Sequence, residues 1–121
     1  VGAAVLNYGN VAYWSKWWTF EEIFGNKYAY LAALNRPIMI AEFACLSYGG
    51  DRADWYEAAL RNLPRRHPEI KALVFFHVMG DATVTPQALD WTLTHDSTLT
   101  QIIARQISRW YDENESANRS N

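Results

Sequence analysis

Three short apolar runs, at residues 1–8, 37–42 and 70–78, constrain this chain more than any other feature of its sequence, because a stretch of helical periodicity follows each one. None of the three alternates apolar with polar residues. A strand wet on one face would alternate, so continuous runs of this length read as strands covered on both faces, the pattern of a parallel sheet. The middle run, Pro37-Ile38-Met39-Ile40-Ala41-Glu42, opens on a proline, which a strand tolerates at its first position. It ends on a carboxylate. Regular period-2 geometry predicts Ile38, Ile40 and Glu42 on one face, with Met39, Ala41 and Phe43 on the other. An unpaired carboxylate continuing the face of two isoleucines is costly in a core. At the C-terminal end of a parallel strand it lies where α/β barrels hold their catalytic groups. Spacing alone leaves the alternative open, a partly wet glutamate paired with a nearby arginine.

The connections fit the same scheme. Asn7-Tyr8-Gly9-Asn10 is a turn signal, and residues 11–18 form a loop carrying Tyr13, Trp14, Trp17 and Trp18. Thr19-Phe20-Glu21-Glu22 spells a capping box. It opens a predicted helix over 19–34 with Ile23, Phe24, Tyr28, Leu31 and Leu34 at spacings of three and four, weakened near its start by Gly25-Asn26. Asp51 is placed to cap a second helix over 52–63, with Trp55, Ala58, Ala59 and Leu63 facing inward until Pro64 and Pro68 end it. Asp96 caps a third, over 97–111, bearing Leu99, Ile102, Ile103, Ile107 and Trp110. Strand and helix in turn, three times over, define an α/β chain. Residues 112–121 are polar and are expected to form a disordered tail. Asn114 and Asn118 each begin a glycosylation tripeptide, a weak, chance-prone pattern.

Composition removes several function classes. A net charge of −2 gives no electrostatic reason to expect nucleic acid or an anionic membrane as partner. No apolar run reaches the roughly 18–20 residues of a membrane span. The lone cysteine, Cys45, excludes an internal disulfide, and with no basic neighbour in sequence it reads as a small buried filler. His67, His77 and His95 lack metal-ligand spacing, and neither a metal nor a cofactor is expected. The first run starts inside a strand without an initiator Met, so we expect a piece of a longer chain. Three parallel strands leave two open edges; we expect these to be completed by the rest of the same molecule or by another chain.

Several motifs, taken in order, carry a family resemblance. Asn7-Tyr8, Trp18-Thr19-Phe20-Glu21-Glu22-Ile23-Phe24-Gly25 and Pro37-Ile38-Met39-Ile40-Ala41-Glu42-Phe43 resemble the C-terminal part of family 26 glycoside hydrolases. Gly49-Gly50-Asp51-Arg52-Ala53-Asp54-Trp55, Lys71-Ala72-Leu73-Val74-Phe75-Phe76 and Asp90-Trp91 continue the likeness to about Trp110. These are β-mannanase-like and β-glucanase-like (β/α)8 TIM barrels that cleave β-linked polysaccharides with retention. The chain is also similar to the barrel domain at the C-terminus of some bacterial polysaccharide-synthesis glycosyltransferases. The resemblance implies that residues 1–111 are a partial barrel, its strands the sixth, seventh and eighth. A setting outside the cytoplasm or at the cell envelope is expected over a cytoplasmic one.

Roles follow from the resemblance residue by residue. It implies that Glu42 is the nucleophile, and that Tyr8 donates a hydrogen bond that orients it. Retaining hydrolysis needs a second carboxyl about 5–5.5 Å from the first. In the family that group ends the fourth strand, which would precede Val1, so the isolated chain is expected to be inactive. Glu21, Glu22, Asp54 and Glu57 fall on predicted helices and Asp81 in a loop. Trp14, Trp17 and Trp18 are candidate platforms for sugar rings, although packing is the commoner fate of any one of them. Phe75 stands where many relatives place a tryptophan under the reacting sugar, a departure that bears on substrate class. His77, two residues on, is a candidate polar contact. The implied partner is a β-linked polysaccharide of mannan or glucan type. Two other classes stay open: a polysaccharide-binding barrel in which Glu42 is vestigial, and a structural or interaction module joined through its sheet edges.

Overall fold

In the computed structural model residues 1–119 are described, with side chains to Asp112. Three parallel strands, β1 (Gly2–Asn7), β2 (Ile38–Cys45) and β3 (Ile70–Phe75), pair in the order β1-β2-β3. Between them lie α1 (Phe20–Ala33), α2 (Arg52–Leu60) and the short α3 (Leu63–Arg66), and α4 (Ser97–Arg119) follows. The chain is therefore mixed α/β, with every strand pairing parallel as its buried-type pattern predicts.

Local signals set the helix starts. Thr19 Oγ1 accepts from the Glu22 amide and Glu22 Oε1 accepts from the Thr19 amide, both at 3.1 Å, completing the capping box. Asp51 Oδ1 accepts from the Ala53 amide at 2.8 Å, and Asp96 Oδ1 from the Leu99 amide at 3.0 Å. Gly25-Asn26 does not break α1: one interior glycine costs about 1 kcal/mol, and buried Phe24 beside it holds the turn. The inner face of α2 differs from the expectation. Trp55, Tyr56, Ala59 and Leu60 are buried while Ala58 is exposed. The cause is a second neighbour, α4, whose Trp110 Nε1 donates to the Leu60 carbonyl at 2.7 Å. The helix α4 runs on to Arg119, so residues 112–119 are helical where polar composition led us to expect disorder; residues 120–121 lie outside the described residues. A helix nucleated by docked turns at Leu99 and Ile103 gains one hydrogen bond for each residue added.

All the long helices pack on one face of the sheet. Val5, Ile38, Ile40, Phe43 and Cys45 meet Phe20 and Phe24 of α1, Trp55 and Tyr56 of α2, and Leu99 and Ile103 of α4. The other face has no helix on it. There Met39 is 41% and Val74 46% exposed, and only the C-terminal end is covered, by a smaller cluster of Ala44, Leu46, Leu89 and Trp91. The expectation of strands buried on both faces is thus met on the helix side alone.

One irregularity changes the reading of β2. Ala3 of β1 pairs with Ile40, but the next residue, Ala4, pairs with Glu42; likewise Leu73 and Phe75 of β3 pair with Ile40 and Phe43. Ala41 is therefore an extra residue, a β-bulge, against both neighbouring strands. Alternation is reset beyond it. Ile38, Ile40, Phe43 and Cys45 point to the helices, whereas Met39, Glu42 and Ala44 point away. The predicted sharing of a face by Ile38, Ile40 and Glu42 is corrected accordingly.

Candidate functional site

The bulge carries Glu42 to the helix-free face, where its side chain is exposed and makes no ion pair among the described residues. This removes the cost that made Glu42 odd in sequence: the carboxylate keeps its water instead of sharing a core with isoleucines. Two residues on, Ala44 belongs to the small cluster that seats the Tyr8 ring.

Tyr8 directly follows β1 and is half-buried. Its ring meets Trp91 edge-on at 5.0 Å between centroids, and Trp14 at 5.8 Å. Burial, then the negative charges of Asp81 and Glu42, push the Tyr8 phenol above the usual tyrosine range. The two carboxylates thus lie close enough to act on the hydroxyl. The hydrogen bond that the resemblance implied between Tyr8 and Glu42 is absent among the described residues.

The loop between β1 and α1 is tied down at both ends by one buried side chain. Asn7 Oδ1 accepts from the amides of Gly9 and Trp18, each at 3.1 Å, and Asn7 Nδ2 donates to Cys45 Sγ at 3.3 Å. Gly9 has φ +62°, and a Cβ there would fall 1.8 Å from the Tyr48 carbonyl oxygen, so no other residue fits. Burial pushes the Cys45 thiol up to about 12, opposed by the Asn7 bond, and the thiol itself donates to the Leu46 carbonyl at 3.1 Å. This agrees with a structural filler.

The loop after β3 is organised by Asp81. Its backbone exchanges two 2.8 Å hydrogen bonds with Leu89, while Oδ2 accepts from Trp91 Nε1 at 3.0 Å. Oδ1 accepts from the Thr83 hydroxyl at 2.6 Å and the Thr83 amide at 3.1 Å. These bonds, Thr83 first, hold the Asp81 carboxyl below its ordinary range against the opposing effect of burial. From sequence Asp81 is only an acid in a loop, and Trp91 only part of the Asp90-Trp91 motif. An Asp-x-Thr spacing marks this turn, and Asp90-x-Thr92 repeats it, with both Thr92 donors on Asp90 Oδ1.

The aromatic candidates separate by environment. Trp14 and Trp18, 49% and 37% exposed, line an open cleft of about 300 Å³ with Leu6, Tyr8, Lys16 and Lys27. Lys16 Nζ sits 3.9 Å above the Trp18 ring. Trp17 instead packs against the helix-side core, its ring so close to Gly50 that a Cβ there would lie 2.6 Å away. Phe75 also faces the helices, 5.4 Å from Phe43 and 6.4 Å from Tyr56 between ring centroids. The next residue, Phe76, is the one on the helix-free face, 5.6 Å from Trp91. His77 lies beyond β3, exposed, with Nδ1 accepting from the Leu93 amide at 3.2 Å, and so pins the loop. Glu42, Tyr8, Trp14 and Trp18 therefore fall near the helix-free face or its β1 edge, while Trp17 and Phe75 do not.

Among the described residues no helix is long and apolar enough to cross a membrane. No family model matches the chain. It is similar to part of Endoglucanase H of Acetivibrio thermocellus, being 38% identical over 72 residues. The match takes in 59% of this chain and 8% of that protein, so the chain spans less than a tenth of the length of the curated relative it matches.

Proposed function

We propose that this chain is the segment of a TIM barrel bearing the sixth to eighth strands, and that it forms part of a retaining glycoside hydrolase acting on β-linked glucan or mannan. The observation that carries the proposal is the position of Glu42, turned by the Ala41 bulge onto the one face that the helices leave free, in the C-terminal half of β2 three residues before its end, and within electrostatic reach of Tyr8. Sequential parallel strands with every long helix on one side support a singly wound barrel over a doubly wound sheet. The likeness to a segment of an endoglucanase supports the substrate class. Within family 26, and in a fusion to a glycosyltransferase, the assignment rests on the sequence motifs.

In this reading the Glu42 carboxylate attacks the anomeric carbon, displaces the leaving sugar, and forms a glycosyl ester that water later hydrolyses. Tyr8, its proton held by burial and by two nearby anions, remains a neutral hydroxyl that can donate to Glu42 once substrate fills the site. Trp14 offers an exposed indole to a sugar ring, and Trp18 lines the same cleft with Lys16 over one face of its ring. Asp81 is unsuited to the acid/base role, since both its oxygens are engaged and it is held ionised. That carboxyl must come from outside these residues. The 121-residue chain by itself is therefore expected to release no reducing sugar from β-glucan or β-mannan, and the barrel that contains it is expected to do so. Hydrolysis by the isolated chain would refute the division of roles, and glycan binding without turnover by the complete barrel would favour a binding domain.

A further inference from the structure

We propose that Asn7 is the positioning residue of this site, its buried amide fixing Tyr8, the aromatic loop and the end of the Glu42 strand relative to one another. The side chain is fully buried on the face of β1 opposite Tyr8, and its polar atoms serve three separate segments. The bond to the Gly9 amide closes a turn whose central residue is Tyr8, so it sets the direction in which that ring leaves the strand. The bond to the Trp18 amide closes the other end of the loop and returns Trp14 onto the Tyr8 ring. The bond from Nδ2 reaches Cys45, three residues past Glu42 and beyond the bulge, and so ties the two strand ends together.

The chemistry of the pocket selects an asparagine. Two N–H groups need an acceptor, and the Cys45 sulfur, a weak acceptor whose own proton goes to Leu46, takes an N–H from the same side chain. Aspartate supplies the first and not the second. Leucine supplies neither and leaves two amides without partners, which is the expensive outcome in a buried place. The inference rests on the proposed function for the catalytic meaning of Tyr8, while the bonds themselves do not.

The test is hydrogen exchange on the full chain, with NMR titration of the Tyr8 ring identified by its loss in Tyr8→Phe. In the wild type the Gly9 and Trp18 amides are expected to be protected relative to that of Tyr13, whose side chain is fully exposed. Asn7→Leu should lose about tenfold of that protection, the scale of one hydrogen bond. The Tyr8 titration should fall toward the ordinary tyrosine range while the far-UV spectrum is unchanged. Asn7→Asp keeps an acceptor for both amides but buries a carboxyl and loses the bond to Cys45, so its protection should lie between those of Asn7→Leu and the wild type. Unchanged protection and titration in Asn7→Leu would overturn the proposal. If Asn7→Leu does not fold, the wild type decides: Gly9 and Trp18 amides exchanging as fast as Tyr13 would overturn it as well. A complete barrel in which Tyr8→Phe hydrolyses at the full rate would remove the catalytic meaning of Tyr8 and leave the Asn7 bonds standing.

Discussion

Ala4 of β1 lies opposite Glu42 of β2, one residue out of step with the Ala3–Ile40 pair before it. That offset decides which side of the sheet receives the carboxylate and which receives the phenyl ring of Phe43. A regular strand would have sent Glu42 into the helix-side core and Phe43 to the open face. Bulges recur next to active sites because they re-aim one side chain without changing the rest of the strand.

Deleting Ala41 should therefore leave every side chain on the face it now has, because Ile40 and Glu42 would then follow each other in step with Ala3 and Ala4, and Phe43 would keep its buried place. We expect the deletion to cost clearly less in urea unfolding than Phe43→Ala, which empties a buried site and should cost about 3 kcal/mol or more. Glu42→Gln, at an exposed site, should stay within about 0.5 kcal/mol of wild type. A deletion as costly as Phe43→Ala would show that Ala41 is not the extra residue.

Trp17 and Trp14 should separate in a single pair of substitutions. Trp17→Ala empties space between Gly50 and the core and is expected to cost about 3 kcal/mol in thermal or urea unfolding. Trp14→Ala should barely change stability but weaken β-glucan binding by about fivefold to tenfold, read by tryptophan fluorescence or affinity electrophoresis. The reverse pattern would exchange their roles.

Much of the frame was legible locally. The capping box at Thr19–Glu22, the caps Asp51 and Asp96, and the three buried-type runs need only a few adjacent residues to declare themselves. The site was legible in chemistry and less so in direction. In Phe75-Phe76 either ring suits a platform, and only the packing of Phe75 against Tyr56 decides which one turns inward. The bulge at Ala41 has no turn residue to announce it and arises from pairing with two strands at once. Asp81 was passed over because its partner Trp91 is brought to it by the loop that Asp81 itself closes. Asn7 stands in a turn signal and in the first motif of the family resemblance, and its burial follows from contacts with Trp18 and Cys45, both remote in sequence.

Acid should loosen the loop after β3 through Asp81. Its carboxyl titrates lower in the fold than the ordinary aspartate value near 3.9, so through that window the unfolded chain binds more protons. The contribution to stability is complete above about pH 4 and is lost as pH falls through the folded pKa. Asp90, lowered by its bonds from Thr92, has the same sign. We expect Asp81→Asn to be less stable than wild type at pH 7, with the gap narrowing toward pH 2, followed by urea midpoints and by Trp91 fluorescence. A gap that widens in acid would mean that Asp81 is not held ionised by these bonds.

The measurement that tests the nucleophile most directly is azide rescue in the complete barrel of which this segment is proposed to be part. Glu42→Ala should lower hydrolysis of an activated aryl β-glycoside on the order of 10⁴-fold or more, with the fold and polysaccharide binding intact. Azide added to this variant should enter the space left by the carboxylate and attack from the face Glu42 used. The predicted product is a glycosyl azide of inverted, α configuration. A β-configured azide would make Glu42 the acid/base instead, and undiminished hydrolysis by Glu42→Ala would contradict the assignment outright.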